Sequence, residues 1–224
     1  MAMITPMSDA PGPPLRLHDY WRSSASFRAR IALNLKGVAY ESVPVDLLSG
    51  AQRGAEYRAL NPQGLVPALD VGGATIGQSL AIIDWLDHVH PEPPLLPTDP
   101  LARAQAMSRA LLIACDIHPI NNLRVLRWLK DDLRADEAAR LRWIAHWIDA
   151  GLSVLETQTG GGPYLAGEAP GLPDICLVPQ LYNARRWGVD LDFYPSLLAI
   201  EARCLALKAF IDAHPDHLPD TAIL

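Results

Sequence analysis

The stretch WRSSASFRARIAL, residues 21–33, decides how the first part of this chain folds. It follows the strand-like run LRLHDY (15–20), and from Ser24 its pattern is that of a helix, which Gly37 ends. A strand therefore meets a helix at a turn that carries two serines, with Arg22 just before them. At Ala25, where a nucleophile would be expected in this turn, the side chain has no reactive group.

The two serines of this turn, Ser23 and Ser24, allow two interpretations. A serine just before a helix is an ordinary N-cap. The free N–H groups, the positive end of the helix dipole and two hydroxyls also point at one spot, which is typical of an anion site.

Beyond this turn, strands and helices alternate as far as residue 90. The runs YESVPV (40–45), LVPALD (65–70) and ATI (74–76) predict three more strands. Helical patterns cover about 53–60 and QSLAIIDWLDHVH (78–90). The order β-α-β-α-β-β-α predicts an α/β unit with a four-stranded mixed sheet.

The composition changes at PEPPLLPTDP (91–100), a proline-rich run that reads as a linker. After it the pattern is helical throughout, starting with Asp99 as an N-cap and Pro100 as the first helical residue. Further helical runs are expected at about 135–158, 173–187 and 195–213. We therefore expect a flexible leader at 1–14, an α/β domain at 15–90, a linker at 91–100 and an all-helical domain at 101–224.

Composition excludes several classes of protein. Half of the 224 residues are hydrophobic, which fits a globular chain, and the net charge of −6 argues against a general nucleic-acid surface. No apolar run approaches the roughly 18 residues of a membrane span, and the first residues lack the features of a signal peptide. The scattered histidines predict no metal site. Three widely spaced cysteines are expected to be reduced structural thiols of a cytoplasmic protein: Cys115, Cys176 and Cys204.

Two further motifs could bind a ligand. In NPQGLVPALD (61–70), a cis bond between Val66 and Pro67 would leave the Val66 backbone free to pair with an extended peptide. A trans Pro67 at the start of an edge strand fits equally well. In GQSLAI (77–82), Gln78 and Ser79 open a helix, so Ser79 either caps it or binds a carboxylate.

Together the three motifs, SSxS, NPxGxVPAL and QSxAIxxWL, resemble the thioredoxin-like domain of glutathione transferases. The runs CDIHPINNLRVL (115–126) and DICLVPQLYNARRWGVDL (174–191) are similar to the zeta class, the maleylacetoacetate isomerases and their maleylpyruvate isomerase relatives. The resemblance extends from about residue 15 to residue 215. It implies the glutathione transferase fold, an α/β thioredoxin-like N-terminal domain plus an all-α C-terminal domain, in a cytoplasmic homodimer.

The resemblance also supplies the missing nucleophile, the thiol of bound glutathione. It implies that Val66 pairs with the cysteinyl backbone of glutathione, that Gln78 and Ser79 hold the γ-glutamyl end, and that Ser23 and Ser24 face the sulfur. Asn121 or Asn122 would complete the site from the helical domain. The implied glutathione-binding residues are Ser24, Val66, Pro67, Gln78, Ser79, Asn121 and Asn122.

The implied reaction is cis–trans isomerisation of a double bond conjugated to a ketone, in the breakdown of aromatic compounds. Thiolate addition makes the bond single, rotation follows, and elimination restores the bond in trans. A dianionic enedione substrate requires cations, and the planar fork of arginine suits carboxylates.

Arg22 and the pair Arg185 and Arg186 are the candidate cations, and the resemblance favours Arg186 over its neighbour. Taken singly, each arginine is more often a surface residue. His118 lies near the substrate in isomerases that share DIHPINN and would hydrogen-bond a substrate oxygen, although a histidine before proline is commonly structural. The implied catalytic residues are Arg22, Ser23, Ser24, His118 and Arg186.

The sequence departs from the family pattern at two positions. Ala25 stands where many zeta-class proteins have cysteine, and Gly171 stands where related chains usually have serine or threonine. Asp174, three residues later, is expected to be a structural cap. Two alternative functions stay open: a transferase that conjugates or dehalogenates small electrophiles, and a non-catalytic member that only binds glutathione. The sequence does not separate maleylacetoacetate from maleylpyruvate as the substrate.

Overall fold

The computed structural model describes residues 14–218. The leader expected at 1–14 lies outside this range except for Pro14. The strands are β1 (Leu15–Asp19), β2 (Tyr40–Pro44), β3 (Ala68–Asp70) and β4 (Thr75–Gly77). The helices are α1 (Ser24–Leu35), α2 (Ala55–Leu60), α3 (Ser79–Val89), α4 (Pro100–Leu111), α5 (Leu123–Asp131), α6 (Glu137–Thr157), α7 (Leu172–Arg186), α8 (Pro195–Leu205) and α9 (Lys208–Ala213).

The four strands form one mixed sheet, as predicted, and their order in the sheet is β2-β1-β3-β4. β1 is parallel to β2 and antiparallel to β3, and β3 is antiparallel to β4. β3 begins at Ala68, three residues later than expected. The delay has a physical reason, because Pro67 has no N–H to give to a ladder and the Leu65 carbonyl is already bound by side chains.

α1 connects the sheet to the helical part of the chain. It packs against α3 on one side and against α7 and α9 on the other. Its central residues, among them Phe27, Ile31 and Leu33, are fully buried in a core that continues through both parts. The residues at the start of α1 are therefore held by contacts from both halves of the chain.

The proline-rich linker is fixed to the body of the protein. The Lys36 ammonium donates to the Asp87 carboxylate at 2.7 Å and to the Pro93 carbonyl at 2.6 Å. Asp87 also accepts from the Leu95 N–H at 2.8 Å, and the Leu95 carbonyl accepts from the Leu172 N–H at the start of α7. The linker thereby ties α1 and α3 to the helical region.

The helix that begins at Pro100, with Asp99 as its N-cap as predicted, does not stay regular. It runs into a π-helical turn, Leu112–Ile117, followed by a 3₁₀ turn, Pro119–Asn121. We call Leu112–Ile117 the π-turn. It is fitted against α6 at Gly151, where an added Cβ would lie 2.2 Å from a methyl carbon of Ile117.

One predicted helix needs correction, and the three cysteines differ in their exposure. The run expected at 195–213 is two helices, because Leu207 leaves the helical conformation and α9 then turns to bury Phe210 and Ala213. Cys176 and Cys204 are buried free thiols, but Cys115 is exposed on the π-turn. None of the described helices combines the length and apolar character needed to cross a membrane.

Candidate active site

The turn before α1 gives its two serines different roles. The Ser23 hydroxyl is the N-cap, accepting from the Ser26 N–H at 3.2 Å. Ser24 is the first helical residue, is buried, and its hydroxyl makes no hydrogen bond within residues 14–218. The Ser24 hydroxyl and the first N–H groups of α1 can therefore donate hydrogen bonds to one anion.

The bond between Val66 and Pro67 is cis. The preceding carbonyl, that of Leu65, accepts from the Tyr57 hydroxyl at 2.7 Å and from the Asn61 amide at 2.8 Å, which fixes the loop. The Val66 N–H and C=O make no hydrogen bond within the described part of the chain. This backbone unit is therefore available to an extended ligand, one of the two possibilities that the sequence leaves open.

Gln78 and Ser79 lie at the start of α3, next to the end of β4. Gln78, not Ser79, is in the N-cap position, and it makes no side-chain cap, so the capping role considered for Ser79 is wrong. Gln78 has a φ of 68°, which non-glycine residues rarely adopt and which recurs at ligand sites. Its amide donates to Gln63 at 2.9 Å, and Ser79 is buried as the first helical residue. The first N–H groups of α3 are left for another acceptor.

The two neighbouring arginines of α7 have different surroundings. Arg185 makes a bidentate pair with Glu201, with N–O distances of 2.6 and 2.5 Å. Arg186 has no carboxylate within 4.0 Å among residues 14–218, and neither has Arg22, whose guanidinium lies 5.2 Å from the Trp21 ring centroid. Burial, and next the positive charge of Arg22, lower the pKa of Arg186. Arg22 and Arg186 thus form a pair of like charges, which we call the arginine pair, and two such cations favour an anionic ligand.

Tyr182 belongs to the same region, and the sequence interpretation missed it. It lies one helical turn before Arg186, and its hydroxyl donates to the Asp216 carboxylate at 3.0 Å. Burial, followed by the hydrogen bond to Asp216, raises the pKa of Tyr182, while Arg186 and Arg22 act in the opposite direction. The four-residue spacing in YNARR is the signal that could have placed Tyr182 beside Arg186.

His118 follows the π-turn and is partly buried. Burial lowers its pKa to about 3, and the nearby positive charge of Arg28 acts in the same direction. The imidazole is therefore neutral across the physiological range, suited to hydrogen bonding rather than to proton transfer.

The two asparagines after His118 are not equivalent. The Asn122 side chain is the N-cap of α5 and accepts from the N–H groups of Arg124 and Val125. Asn121 is buried, and both polar atoms of its amide lack a partner among the described residues. Asn121 therefore has the amide with unused hydrogen-bonding capacity.

Known proteins share this arrangement over nearly the whole chain. The glutathione S-transferase N-terminal domain matches residues 22–89. Maleylacetoacetate isomerase of Rhizobium meliloti is 49% identical over 203 residues, covering 89% of this chain and 95% of that protein. This chain belongs to the zeta class of glutathione transferases. The holo structure of a maleylpyruvate isomerase, described as a bacterial zeta-class glutathione S-transferase, superposes with a TM-score of 0.89 at 46% identity and covers 92% of this chain and 99% of that one.

A second similar structure is described with its ligand. Maleylacetoacetate isomerase from Anaeromyxobacter dehalogenans, with glutathione bound in its active site, has a TM-score of 0.83 at 44% identity and covers 92% of this chain and 97% of its own. The family assignment shows the fold predicted from the motifs, a thioredoxin-like N-terminal part followed by helices.

Gly171, one of the departures from the zeta-class pattern, has a packing explanation. An added Cβ there would lie 2.6 Å from the Leu95 carbonyl oxygen and 2.7 Å from the Ala166 Cβ. The cap of α7 is completed instead by Asp174, whose carboxylate accepts from the N–H groups of Leu165, Ala166 and Gly171. Asp174 is therefore a structural cap, as predicted.

Proposed function

We propose that this chain is a glutathione-dependent cis–trans isomerase of maleylacetoacetate or maleylpyruvate in the breakdown of aromatic compounds. The observation that carries the proposal is the arginine pair, Arg22 and Arg186, which has no acidic partner within 4.0 Å among residues 14–218 and of which Arg22 lies two residues before α1. A dianionic substrate supplies the missing negative charge. The relatives named maleylacetoacetate and maleylpyruvate isomerase support this substrate class.

Glutathione fits the groups on the other side of this site. The Val66 N–H and C=O can pair with its cysteinyl backbone, as in strand addition. The uncapped start of α3, with Gln78 and Ser79, can receive its γ-glutamyl carboxylate. Ser24 has a free hydroxyl for the sulfur, and Asn121 has a free amide at the helical side of the site.

When bound, glutathione supplies a thiolate that adds reversibly to the alkene, so that the bond can rotate before the thiolate leaves. Ser24 and the N-terminus of α1 stabilise the negative sulfur, while Ser23 holds the turn by capping the helix. The arginine pair binds and orients the substrate carboxylates. His118, which is neutral, hydrogen-bonds a substrate oxygen. Ala25 takes no part, because the nucleophile belongs to glutathione.

The proposal extends to organisation and location. We assign glutathione binding to residues 15–90 and substrate binding to residues 101–224, joined by the linker at 91–100. We further propose a homodimer in the cytoplasm. The three free thiols and the use of reduced glutathione support a reducing compartment.

The test follows the loss of the cis-enedione absorbance of maleylpyruvate and of maleylacetone, with and without glutathione. The proposal expects fast conversion that requires glutathione but consumes no thiol. Thiol consumption with small electrophiles, and no isomerisation, would assign the chain to the conjugating transferases. Glutathione binding with neither activity would assign it to the non-catalytic members.

The neighbouring arginines provide a matched pair of variants. Arg186→Gln should raise the KM for the dianionic substrate by at least about tenfold, because a charge-assisted bond contributes roughly 1.5–3 kcal/mol. Its glutathione affinity should stay unchanged. Arg185→Gln removes a guanidinium that is already paired with Glu201, so it should lower thermal stability and leave KM close to the wild-type value. Equal effects of the two variants on KM would remove the basis of the substrate assignment.

A further inference from the structure

Arg28 is a buried guanidinium that has no counter-ion in the part of the chain that the structure describes. Only 2% of the residue is exposed, and its Nε and Nη2 atoms have no hydrogen-bond partner among residues 14–218. The other cations of the interior are paired: Arg30 with Asp19 and Lys36 with Asp87. An unpaired buried charge is costly in free energy, so its retention points to a role in the presence of a ligand.

Arg28 lies close to the groups that surround the sulfur position. It is four residues after Ser24, so the two side chains share a face of α1. Its charge also reaches the π-turn and α7, where it acts on His118, Cys115 and Cys176. α1 also packs against α7, and α7 against the π-turn, so the buried guanidinium lies in the region where these three elements meet.

We propose that Arg28 supplies the buried positive charge that stabilises the thiolate of glutathione bound at the start of α1. The inference rests on the proposed function, because it requires glutathione to bind. In a poorly solvated interior, a fixed cation stabilises a nearby anion without reorganising when that anion forms. Arg28 thus acts on the sulfur through its charge, across the interior, and is not itself a nucleophile or an acid.

Among residues 14–218, Arg28 is the fully buried cation that has no carboxylate partner, whereas Arg22 and Arg186 are not buried. On α1 itself, Arg30 is neutralised by Asp19. Lys36, at the C-cap of α1, pairs with Asp87 of α3, and the other ionisable side chains of α3, Asp84 and His88, are exposed. On α9, Lys208 and Asp212 pair with each other at the surface. From the π-turn and α7, the titratable groups that interact with the Arg28 charge are His118, Cys115 and Cys176.

The first experiment measures the ultraviolet absorbance of the thiolate of bound glutathione as a function of pH. In Arg28→Met the pKa of the bound thiol should rise by about one unit, which is a tenfold loss of thiolate at a pH below that pKa. Arg28→Lys keeps the positive charge, so the pKa of the bound thiol should stay close to the wild-type value. Gln180→Met is the matched control, because Gln180 is a fully buried and unpartnered but neutral group of α7. It should leave the thiol pKa unchanged.

The second experiment needs no substitution and so avoids a variant that fails to fold. The guanidinium NMR signals of Arg28 in the full-length protein are compared after adding glutathione or S-methylglutathione at neutral pH. The inference expects a clear shift with the thiolate and little shift with the neutral thioether. If both bind but the Arg28 signals respond equally, or if Arg28→Met keeps the wild-type thiol pKa, the inference is wrong. If neither compound binds, it is the proposed function that fails.

Discussion

Ser23 and Ser24 are adjacent, yet their hydroxyls have different surroundings, and this separates a structural effect from a chemical one. Ser23→Ala removes the N-cap of α1 and should lower the free energy of unfolding by about 0.5–2 kcal/mol. Ser24→Ala should lower kcat/KM by about 10- to 100-fold, because it removes a hydrogen bond to an anionic sulfur. Chemical denaturation and steady-state kinetics of both variants check the two effects. A Ser23→Ala variant that loses as much activity as Ser24→Ala, at full stability, would contradict the division of roles.

His118 provides a prediction about pH. In the folded protein its pKa is lowered to about 3, whereas the unfolded chain takes up a proton near the ordinary value of 6.5. Between these values the unfolded state binds more protons, so His118 favours unfolding increasingly as the pH falls through this window. His118→Gln should therefore lose less stability than the wild type between about pH 7 and about pH 5.

The measurement for His118 is denaturation at a series of pH values for the wild type and the variant. His88→Gln is the control, because that residue lies at the exposed end of α3. The pH profile of kcat/KM should also show no ionisation that disappears in His118→Gln. A stability difference that is the same at both ends of the pH range would show that His118 titrates normally.

Among the elements, the π-turn packs closely against α6 at one glycine, Gly151. A Cβ at Gly151 would lie 2.2 Å from a carbon of the Ile117 side chain, so Gly151→Ala has to push α6 and the π-turn apart. Overpacking of this kind costs about 1–3 kcal/mol. Because His118 follows Ile117 directly, we expect a loss of activity in addition to the loss of stability.

Gly160→Ala is the control for Gly151→Ala, since nothing lies within 4 Å of an added Cβ at that position. It should leave both stability and activity close to the wild-type values. The readouts are the melting temperature and the isomerase rate at saturating glutathione. A Gly151→Ala variant with wild-type values for both would mean that Ile117 adopts another rotamer at little cost.

The elements also show how far the sequence could predict the structure. The strands, the N-cap at Asp99 and the cap at Asp174 have local signals, and the structure confirms them. The π-turn has none, because its conformation depends on Gly151, which is distant in sequence. The break between α8 and α9 likewise depends on where Phe210 can be buried. Such features are decided by tertiary packing, which a single sequence does not display.

The same limit applies to the candidate site. The motifs located its residues, but they could not separate Arg185 from Arg186, since adjacent helical residues point about 100° apart and only the position of Glu201 shows which one is paired. They also missed Arg28, because a buried arginine without a partner is visible only once its surroundings are known. Local spacing predicted the site, and long-range contacts assign the individual side chains.

At the scale of the whole molecule, Arg30 connects three distant parts of the chain. Its guanidinium makes two bonds to the Asp19 carboxylate at the end of β1, at 2.8 and 2.7 Å. It also donates to the Trp21 carbonyl, just before Arg22, at 2.9 Å and to the Ala213 carbonyl at the end of α9 at 3.0 Å. One side chain therefore joins the sheet, the turn that precedes the site, and the C-terminal helices.

Arg30→Met should accordingly weaken the whole molecule rather than one element. It leaves Asp19 buried without a partner, a change that costs about 3–5 kcal/mol. It also releases the segment that carries Arg22, so the KM for the dianionic substrate should rise even at temperatures where the protein stays folded. Replacing both members, in Asp19→Leu with Arg30→Met, should recover part of the stability, because the unpaired charge is gone, but not the KM.

The control is the exposed pair of Arg16 and Glu41, whose side chains are 44% and 55% exposed. Arg16→Met should change stability by less than about 1 kcal/mol and leave KM unchanged, because solvent screens an exposed pair. The measurements are urea denaturation and substrate-saturation kinetics of the wild type, Arg30→Met, the double variant and Arg16→Met. If the double replacement restores KM together with stability, the Trp21 contact does not position Arg22, and the link between the fold and the arginine pair has to lie elsewhere in the site.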